Sequence, residues 1–383
     1  MKPKNKISYL DNAATTFPKP KSVISEVKNC LESYCGNAGR GSHRLSLIAA
    51  NKIYECREEI CELLNVPEPE QVVFVPSCTC GLNWVLKGIL GQGDHVLISD
   101  MEHNAVWRPL AKMRNEGKIT FDIFPALTGG GQTDEQILFE IEKRLTPNTR
   151  LIICNHQSNI CSYTLPIEKI GAFCKKNHII FAIDGAQSVG HCNIDVQKSN
   201  VDLLIAPSHK GLYGIMGGGF VTISPHLTLD TLVEGGNGIR SLESAMPDLS
   251  PERYEAGTLP LPAIVGLCEG IKSVRKIGTS AIREHENELF KRLRDGLMNI
   301  KGVTVHVPQF EGSTLLFNVE NHSCEEICSI LDDNGICIRA GFHCAALAHR
   351  ALNTEKVGGI RVSFGMFNTT NDIDKLLTVV NNI

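Results

Sequence analysis

Between residues 72 and 223, short apolar runs rich in β-branched residues alternate with longer stretches of helical spacing. The runs "VVFV" (72–75), "HVLI" (95–98), "TFDIF" (120–124), "LIIC" (151–154), "IIFAI" (179–183), "LLIA" (203–206) and "FVTI" (220–223) predict strands. Several are apolar at every position, the pattern of strands covered on both faces. Helical spacing covers 44–64, 81–90, 104–116, 134–145 and 167–177. The alternation predicts an α/β fold, a mostly parallel sheet with helices on both faces. The turn "GIMGGG" (214–219) is too short for a crossover helix, so the run at 220–223 is expected to join antiparallel.

After about residue 260 the rhythm changes. Helices are expected at 261–277, 280–299 and 324–334. Strands are expected near 303–307, 313–319 and 336–339, with a final strand and helix within 359–382. Prolines and a glycine interrupt helical patterning in "MPDLSPERYEAGTLPLP" (246–262). The expected division is a large domain over 18–255 and a small α+β domain over 256–383 joined by residues 1–17. A length of 383 residues agrees with two units, since it exceeds what one core usually holds.

Composition narrows the function. Hydrophobic residues make up 42% and charged residues 21%, with a net charge of −4. That balance gives no electrostatic reason to expect nucleic acid or an anionic membrane as partner. No apolar stretch approaches the roughly 20 residues that span a bilayer. The start, "MKPKNKISYLDNAATT", lacks the apolar run of a signal peptide. A cytoplasmic location is therefore expected, where the fifteen cysteines stay reduced. Cys78 and Cys80 are two apart, and Cys324 and Cys328 four apart, but neither pair has a second pair at zinc-site spacing. No metal is expected, and most of the cysteines read as core-filling thiols.

Ligands of open α/β sheets bind at the carboxyl ends of the strands. After "VVFV" comes "PSCTCGLN" (76–83), small hydroxyl and thiol residues opening a helix. This is either a phosphate cradle or a plain N-cap by Ser77 or Thr79. After "HVLI" comes "SDMEHNAVW" (99–107) with His103, a loop histidine or a catalytic one. "NHQSNICS" (155–162) is a polar run after "LIIC". Asp184 follows an all-apolar strand, where a buried carboxylate is costly unless paired with a cation. Lys210 in "PSHKGLYG" (207–214) also ends an apolar strand. It is either a turn lysine or a desolvated amine able to form a Schiff base. Together, an anion cradle, an imidazole, a buried carboxylate and such a lysine are what pyridoxal 5′-phosphate requires.

The stretches "YLDNAATT", "MEHNA", "HQSN", "DGAQ", "SHKGLYG", "RYEAGT", "RAGFHC" and "IRVSFGMFNT" run nearly the length of the chain. In them the sequence resembles the cysteine desulfurase and selenocysteine lyase family. This family belongs to the class V aminotransferases of pyridoxal phosphate fold type I (aspartate aminotransferase-like). The resemblance implies that Lys210 bonds the cofactor, Asp184 pairs with its pyridinium nitrogen and Gln187 with its phenolic oxygen. His103 stacks on the ring and moves protons. Thr79 and His209 hold the phosphate with Cys78 beside them, and Thr258 reaches it from the partner subunit of a homodimer. Asn159 and Arg361 grip the substrate carboxylate, with Arg339, Arg40 and Ala13 also at the substrate. Cys344 accepts sulfur as a persulfide while L-cysteine becomes L-alanine. His343 and Arg339 are the candidates for positive potential near its thiol.

The chain departs from the family at Ser77-Cys78-Thr79-Cys80, where Gly-Thr/Ala-Thr-Glu is usual; Thr79 survives and the acidic position is lost. The compact run after Cys344 looks like the SUF-type group, which hands sulfur to an acceptor protein, with iron–sulfur cluster assembly the usual destination. The alternatives are a selenocysteine lyase, and another pyridoxal phosphate-dependent lyase or aminotransferase on the same scaffold. A degenerate, non-enzymatic relative is disfavoured by intact Lys210, Asp184 and Arg361.

Overall fold

The computed structural model describes residues 7–39 and 41–383, so Arg40 lies outside the described residues. The order is β1 (Ser8–Tyr9), α1 (Lys21–Asn29), a π-helical turn at Cys30–Tyr34, α2 (Arg44–Leu64) and a 3-10 turn at Pro69–Gln71. There follow β2 (Val72–Val75), α3 (Cys78–Ile89), β3 (His95–Ser99), α4 (Asn104–Asn115), β4 (Thr120–Phe124) and α5 (Asp134–Glu142). Next come β5 (Thr149–Asn155), α6 (Ile167–Lys176), β6 (Ile180–Asp184), β7 (Leu203–Pro207) and β8 (Gly219–Ile223). The rest comprises α7 (Leu261–Ile277), α8 (Thr279–Met298), β9 (Val303–His306), β10 (Thr314–Val319) and α9 (Cys324–Asp333). It closes with β11 (Ile336–Cys337), β12 (Arg339–Gly341), α10 (Ala346–Ala351), β13 (Gly359–Ser363) and α11 (Thr370–Val380).

Seven strands form the main sheet in the order β2-β8-β7-β6-β5-β3-β4. The pairings from β7 to β4 are parallel. β8 runs antiparallel to both neighbours, as the short Gly-rich turn before it requires. Successive residues of one strand feed opposite cores. Val72 and Phe74 pack with Ile53, Ile60 and Leu64 of α2, whereas Val73 and Val75 pack with Leu82, Val85 and Leu110 of α3 and α4. This two-sided burial removes polar alternation from the strands. Each fully buried Val, Leu or Phe contributes roughly 1.5–3 kcal/mol.

A second sheet, β12-β13-β10-β9, is antiparallel throughout. Leu289 and Leu293 of α8, Ile327 of α9 and Ile373 of α11 pack with its Leu315 and Phe317. β1 pairs in parallel with β11, Ser8 opposite Ile336, which carries residues 8–12 to the edge of this sheet. The strand expected at 336–339 is split because its residues serve two partners: β11 pairs with β1, β12 with β13. The helix expected at 81–90 begins at Cys78, because the Ser77 hydroxyl accepts the Cys80 N–H at 3.2 Å and caps it. Sequence patterning misses α1, whose buried side is one residue, Val23, and the six-residue α10.

Candidate active site

Five parallel or cap-linked segments deliver polar residues to one end of the main sheet. Ser77, Cys78 and Thr79 open α3; His103 caps α4; Asn155 and Asp184 end β5 and β6; His209 and Lys210 follow β7. With Asn159 and Gln187 they line a cavity of about 110 Å³. A larger cavity, lined by Arg150, Ile180 and Thr222, opens at the amino ends of the strands, away from these residues.

The cavity floor is electrostatically tense. Burial raises the Asp184 pKa, partly offset by the Ala186 N–H (3.0 Å) and by Lys210. Burial lowers that of Lys210; its stem keeps some surface, but the amine is desolvated, and Cys78 and Asp184 only partly restore its charge. Cys78 Sγ stands 3.6 Å from Asp184 Oδ1 as a thiol donor, with its own pKa raised by burial. His103 accepts the Ala105 N–H on Nδ1 at 3.0 Å. Burial and the nearby charge of Lys210 bring its pKa down to about 4, so it is neutral with its proton on Nε2. His209 falls to about 4 for the same reasons.

The lysine loop is braced from two sides. The His209 carbonyl accepts from the Thr16 amide (3.0 Å), the Thr15 and Thr16 hydroxyls (3.1 Å each) and Lys19 Nζ (3.0 Å). Burial lowers the Lys19 pKa to about 8. On the other side, a Cβ at Gly211 would run into the Val189 carbonyl and the His191 ring. Only glycine allows that approach. His191 Nδ1 in turn lies 2.9 Å from both carboxylate oxygens of buried Glu286 on α8.

Beside the cavity, Arg339 and Arg361 are direct partners across β12 and β13. Like charges opposite one another in a ladder are destabilising. Arg361, 1% exposed, gives Nη2 to Asp11 at 2.6 Å and Nη1 to the Asn159 carbonyl at 3.1 Å; its Nε is buried without a partner. Two guanidinium groups thus stand side by side with the Asp11 carboxylate on one of them, an arrangement suited to a further anion. Asn159 joins this region to the cavity: it lines the cavity and its Nδ2 donates to the His343 carbonyl at 2.8 Å. The Asn104 amide holds the Cys344 carbonyl at 2.8 Å, and the Cys344 side chain is exposed.

The structure therefore brings together Cys78, Thr79, His103, Asn159, Asp184, Gln187, His209 and Lys210. Gln187 Nε2 donates to the Ala13 carbonyl at 3.0 Å, which places Ala13 there too. Arg339, Arg361 and Cys344 form the adjoining rim. Thr258 is exposed, accepts from Asn37 Nδ2 at 3.2 Å and does not line its own chain's cavity. Arg40 is outside the described residues. His343 does not supply positive potential: it is buried, bonded to Arg339 O (3.2 Å) and His349 Nε2 (3.3 Å), and burial pulls its pKa down to about 3. Asp11, Glu102 and Asn155 were not singled out from sequence although they sit in quoted stretches, and Lys19 was missed just beyond one. Glu102 is fully buried, accepts from Ser99 Oγ (2.5 Å) and the Asn155 amide (2.8 Å), and burial raises its pKa to about 8.

Pyridoxal phosphate fits these residues. Asn155 Oδ1, Asn159 Oδ1 and His209 Nδ1 are buried without partners. The first amides of the twelve-residue α3 face the same space as His209, a site for a phosphate. Asp184 lies on the floor to pair with a pyridinium nitrogen.

Similarity to known proteins agrees with the geometry. A protein described as a probable cysteine desulfurase from Methanothermobacter thermautotrophicus is 30% identical over 96% of this chain and 92% of its own. One of the same description from Halalkalibacterium halodurans is 31% identical over 96% and 91%. The apo structure of a cysteine desulfurase from Thermococcus onnurineus superposes with a TM-score of 0.89 at 28% identity, covering 99% of this chain and 94% of that one. The Escherichia coli cysteine desulfurase CsdA shares the fold, with a TM-score of 0.88 at 23% identity over 98% of this chain and 94% of its own. The class-V aminotransferase model matches residues 8–376. By fold, sequence and the residues at the strand ends, this chain belongs to the class-V aminotransferase family.

Proposed function

We propose that the protein is a pyridoxal phosphate-dependent cysteine desulfurase that converts L-cysteine to L-alanine and takes up the sulfur on Cys344. The observation that carries this reading is Asn159, which lines the strand-end cavity with Lys210 and Asp184 and also holds the Cys344 turn. When bound, the cofactor acts as an electron sink for the substrate's Cα. Arg361 and Arg339 bind and orient the substrate carboxylate. Lys210, desolvated and depressed in pKa, offers an amine that removes and returns a proton at Cα. Neutral His103 carries a proton on Nε2. The Cys344 thiolate attacks the substrate sulfur, forming an S–S bond. The Cβ–S bond breaks with its electron pair left on carbon, and Cβ takes up a proton. Alanine leaves, and Cys344 carries the persulfide.

The functional unit in this reading is a homodimer. Thr258 is exposed and outside its own cavity, which supports a place at the partner's phosphate, and Leu232, Val233, Ile239, Leu242 and Leu249 are exposed nearby in sequence. An exposed Cys344 supports delivery of sulfur to an acceptor protein. All fifteen cysteines are free thiols, which supports a reducing, cytoplasmic location. No helix of the described residues is long and apolar enough to cross a membrane.

The test is the product profile with L-cysteine and L-selenocysteine in the presence of a thiol reductant. Alanine and sulfide are expected from L-cysteine, with a loss of about 10²-fold or more in Cys344→Ala. Full cysteine activity in that variant would overturn the sulfur-acceptor role. Selenocysteine turnover surviving in it would favour the selenocysteine lyase. Keto-acid formation with amino transfer would favour an aminotransferase.

A further inference from the structure

The turn that carries Cys344 is strained. His343 and Cys344 are consecutive non-glycine residues with φ of 53° and 56°. L-residues avoid this left-handed region, and two in succession need external support. Part of that support is backbone: Asn159 Nδ2 on the His343 carbonyl, the Asn104 amide on the Cys344 carbonyl, and the Ala345 amide on the Phe342 carbonyl at 2.9 Å. The rest passes through side chains that the desulfurase chemistry does not use.

His343 Nδ1 lies 3.3 Å from His349 Nε2, the two rings being stacked with centroids 5.6 Å apart. His349 Nδ1 lies 2.7 Å from Thr354 Oγ1. All three residues are buried. The far end fixes the direction of the chain. His343 Nε2 faces the Arg339 carbonyl, which only accepts, so Nε2 carries the proton. In a neutral ring Nδ1 then accepts from His349 Nε2–H. His349 Nδ1 is left as an acceptor, and the Thr354 hydroxyl donates to it. With both rings neutral, this is the one assignment that satisfies all three contacts of the ring nitrogens. An added proton on His343 would reverse the tautomer of His349 and turn the Thr354 hydroxyl to the His349 carbonyl at 3.3 Å. Arg339, Arg361 and His306 lie around the two rings and oppose that proton. Burial acts in the same direction, bringing His343 to about 3 and His349 to about 4.

We propose that His349 and Thr354 are positioning residues for Cys344: they fix the His343 ring in one tautomer and thereby hold the left-handed turn that presents the thiol. The proposal rests on the reading of Cys344 as the sulfur acceptor only for its catalytic consequence; the turn itself can be observed without it.

The experiment compares Thr354→Val, which keeps the shape and deletes the hydroxyl, with Thr354→Ser, which keeps the hydroxyl. Imidazole ¹⁵N spectra of the holoenzyme report the tautomers. Amide hydrogen exchange at Asn104 and Ala345 reports the turn, and rapid quench with mass spectrometry reports persulfide on Cys344. In Thr354→Val, the His349 and His343 nitrogen signals are expected to move. Exchange at the two amides should quicken, and persulfide formation should slow, each about tenfold, the effect of one lost buried hydrogen bond. The initial absorbance change on mixing with L-cysteine should stay within about twofold. Thr354→Ser should restore all three. Wild-type spectra and exchange in Thr354→Val would overturn the proposal, as would a Thr354→Ser protein no better than Thr354→Val. If wild-type Cys344 takes up no sulfur but spectra and exchange respond as stated, the positioning role stands and the reading of Cys344 fails.

Discussion

The strand-end cavity and the arginine rim solve opposite problems. In and behind the cavity, burial drives groups toward their neutral forms: His103 and His209 lose their protons, Lys210 is depressed, and Asp184 and, behind Asn155, Glu102 are raised. At the rim, two arginines stand opposite each other in a ladder, and one carboxylate, Asp11, pairs with Arg361. Guanidinium groups cannot neutralise themselves, so the excess charge persists until an anion arrives. The cavity is thus built for proton movement and the rim for charge recognition, with Asn159 as the shared wall.

The contrast breaks most sharply at Lys210. Lys210→Ala should lower kcat by about 10³-fold or more, since it removes the depressed amine that lines the cavity, while binding of substrate carboxylate at the rim survives. Steady-state kinetics together with substrate binding separates the two. Arg361→Ala should act on the rim, lowering kcat/KM about 10²-fold and taking from the half-buried Asp11 carboxylate its 2.6 Å partner. Unchanged kcat/KM would deny the rim its role. Glu102→Gln tests the neutral cavity. Glu102 holds its proton up to about pH 8 in the fold, against about 4.5 unfolded, so its contribution is complete below pH 4.5 and lost as pH rises toward 8. Removing that titration should stabilise the protein at pH 8 by about 1–3 kcal/mol, read as a higher Tm than wild type there and little difference near pH 5.

The histidines have the opposite sign. Folded values of about 3 to 4 for His103, His156, His209, His343 and His349 lie below the unfolded 6.5, so the unfolded chain takes up protons first. Their contribution should be constant above pH 7 and fall as pH drops through 6 toward 4, by several degrees in Tm. The smallest effect is expected from Ser77→Ala, which deletes the cap of α3 at a cost of about 1 kcal/mol and weakens phosphate affinity without touching the rim.

The two regions also differ in how far they could be read from sequence. A strand buried on both faces announces itself by unbroken apolar residues, and the residue after it must lie at the cavity end. That rule places Asp184 and Lys210 at the cavity end, and the family resemblance adds their roles. The rim follows from no local pattern. Arg339 and Arg361 are 22 positions apart by number, and their registration depends on antiparallel pairing of β12 with β13. Asp11 reaches Arg361 because β1 pairs with β11, and neither two-residue strand carries a periodic signal. His343 stands beside Cys344 in sequence, but the left-handed backbone turns its ring inward to His349. Family resemblance supplied what periodicity could not.

The pairing of β1 with β11 has a consequence for synthesis. The Ser8 amide donates to the Gly335 carbonyl, the Leu10 amide to Cys337, and the Ser363 amide to Leu10. Residues 8 to 10 therefore find no strand partners until residues 335 to 363 have left the ribosome. A nascent chain ending near residue 300 has every strand of the main sheet and the lysine floor, but no rim arginines and no Cys344. Contacts so distant in sequence form late. An unfinished chain thus carries Asp184 and Lys210 before it carries Cys344, and only the last fifty residues bring the cavity and the rim together.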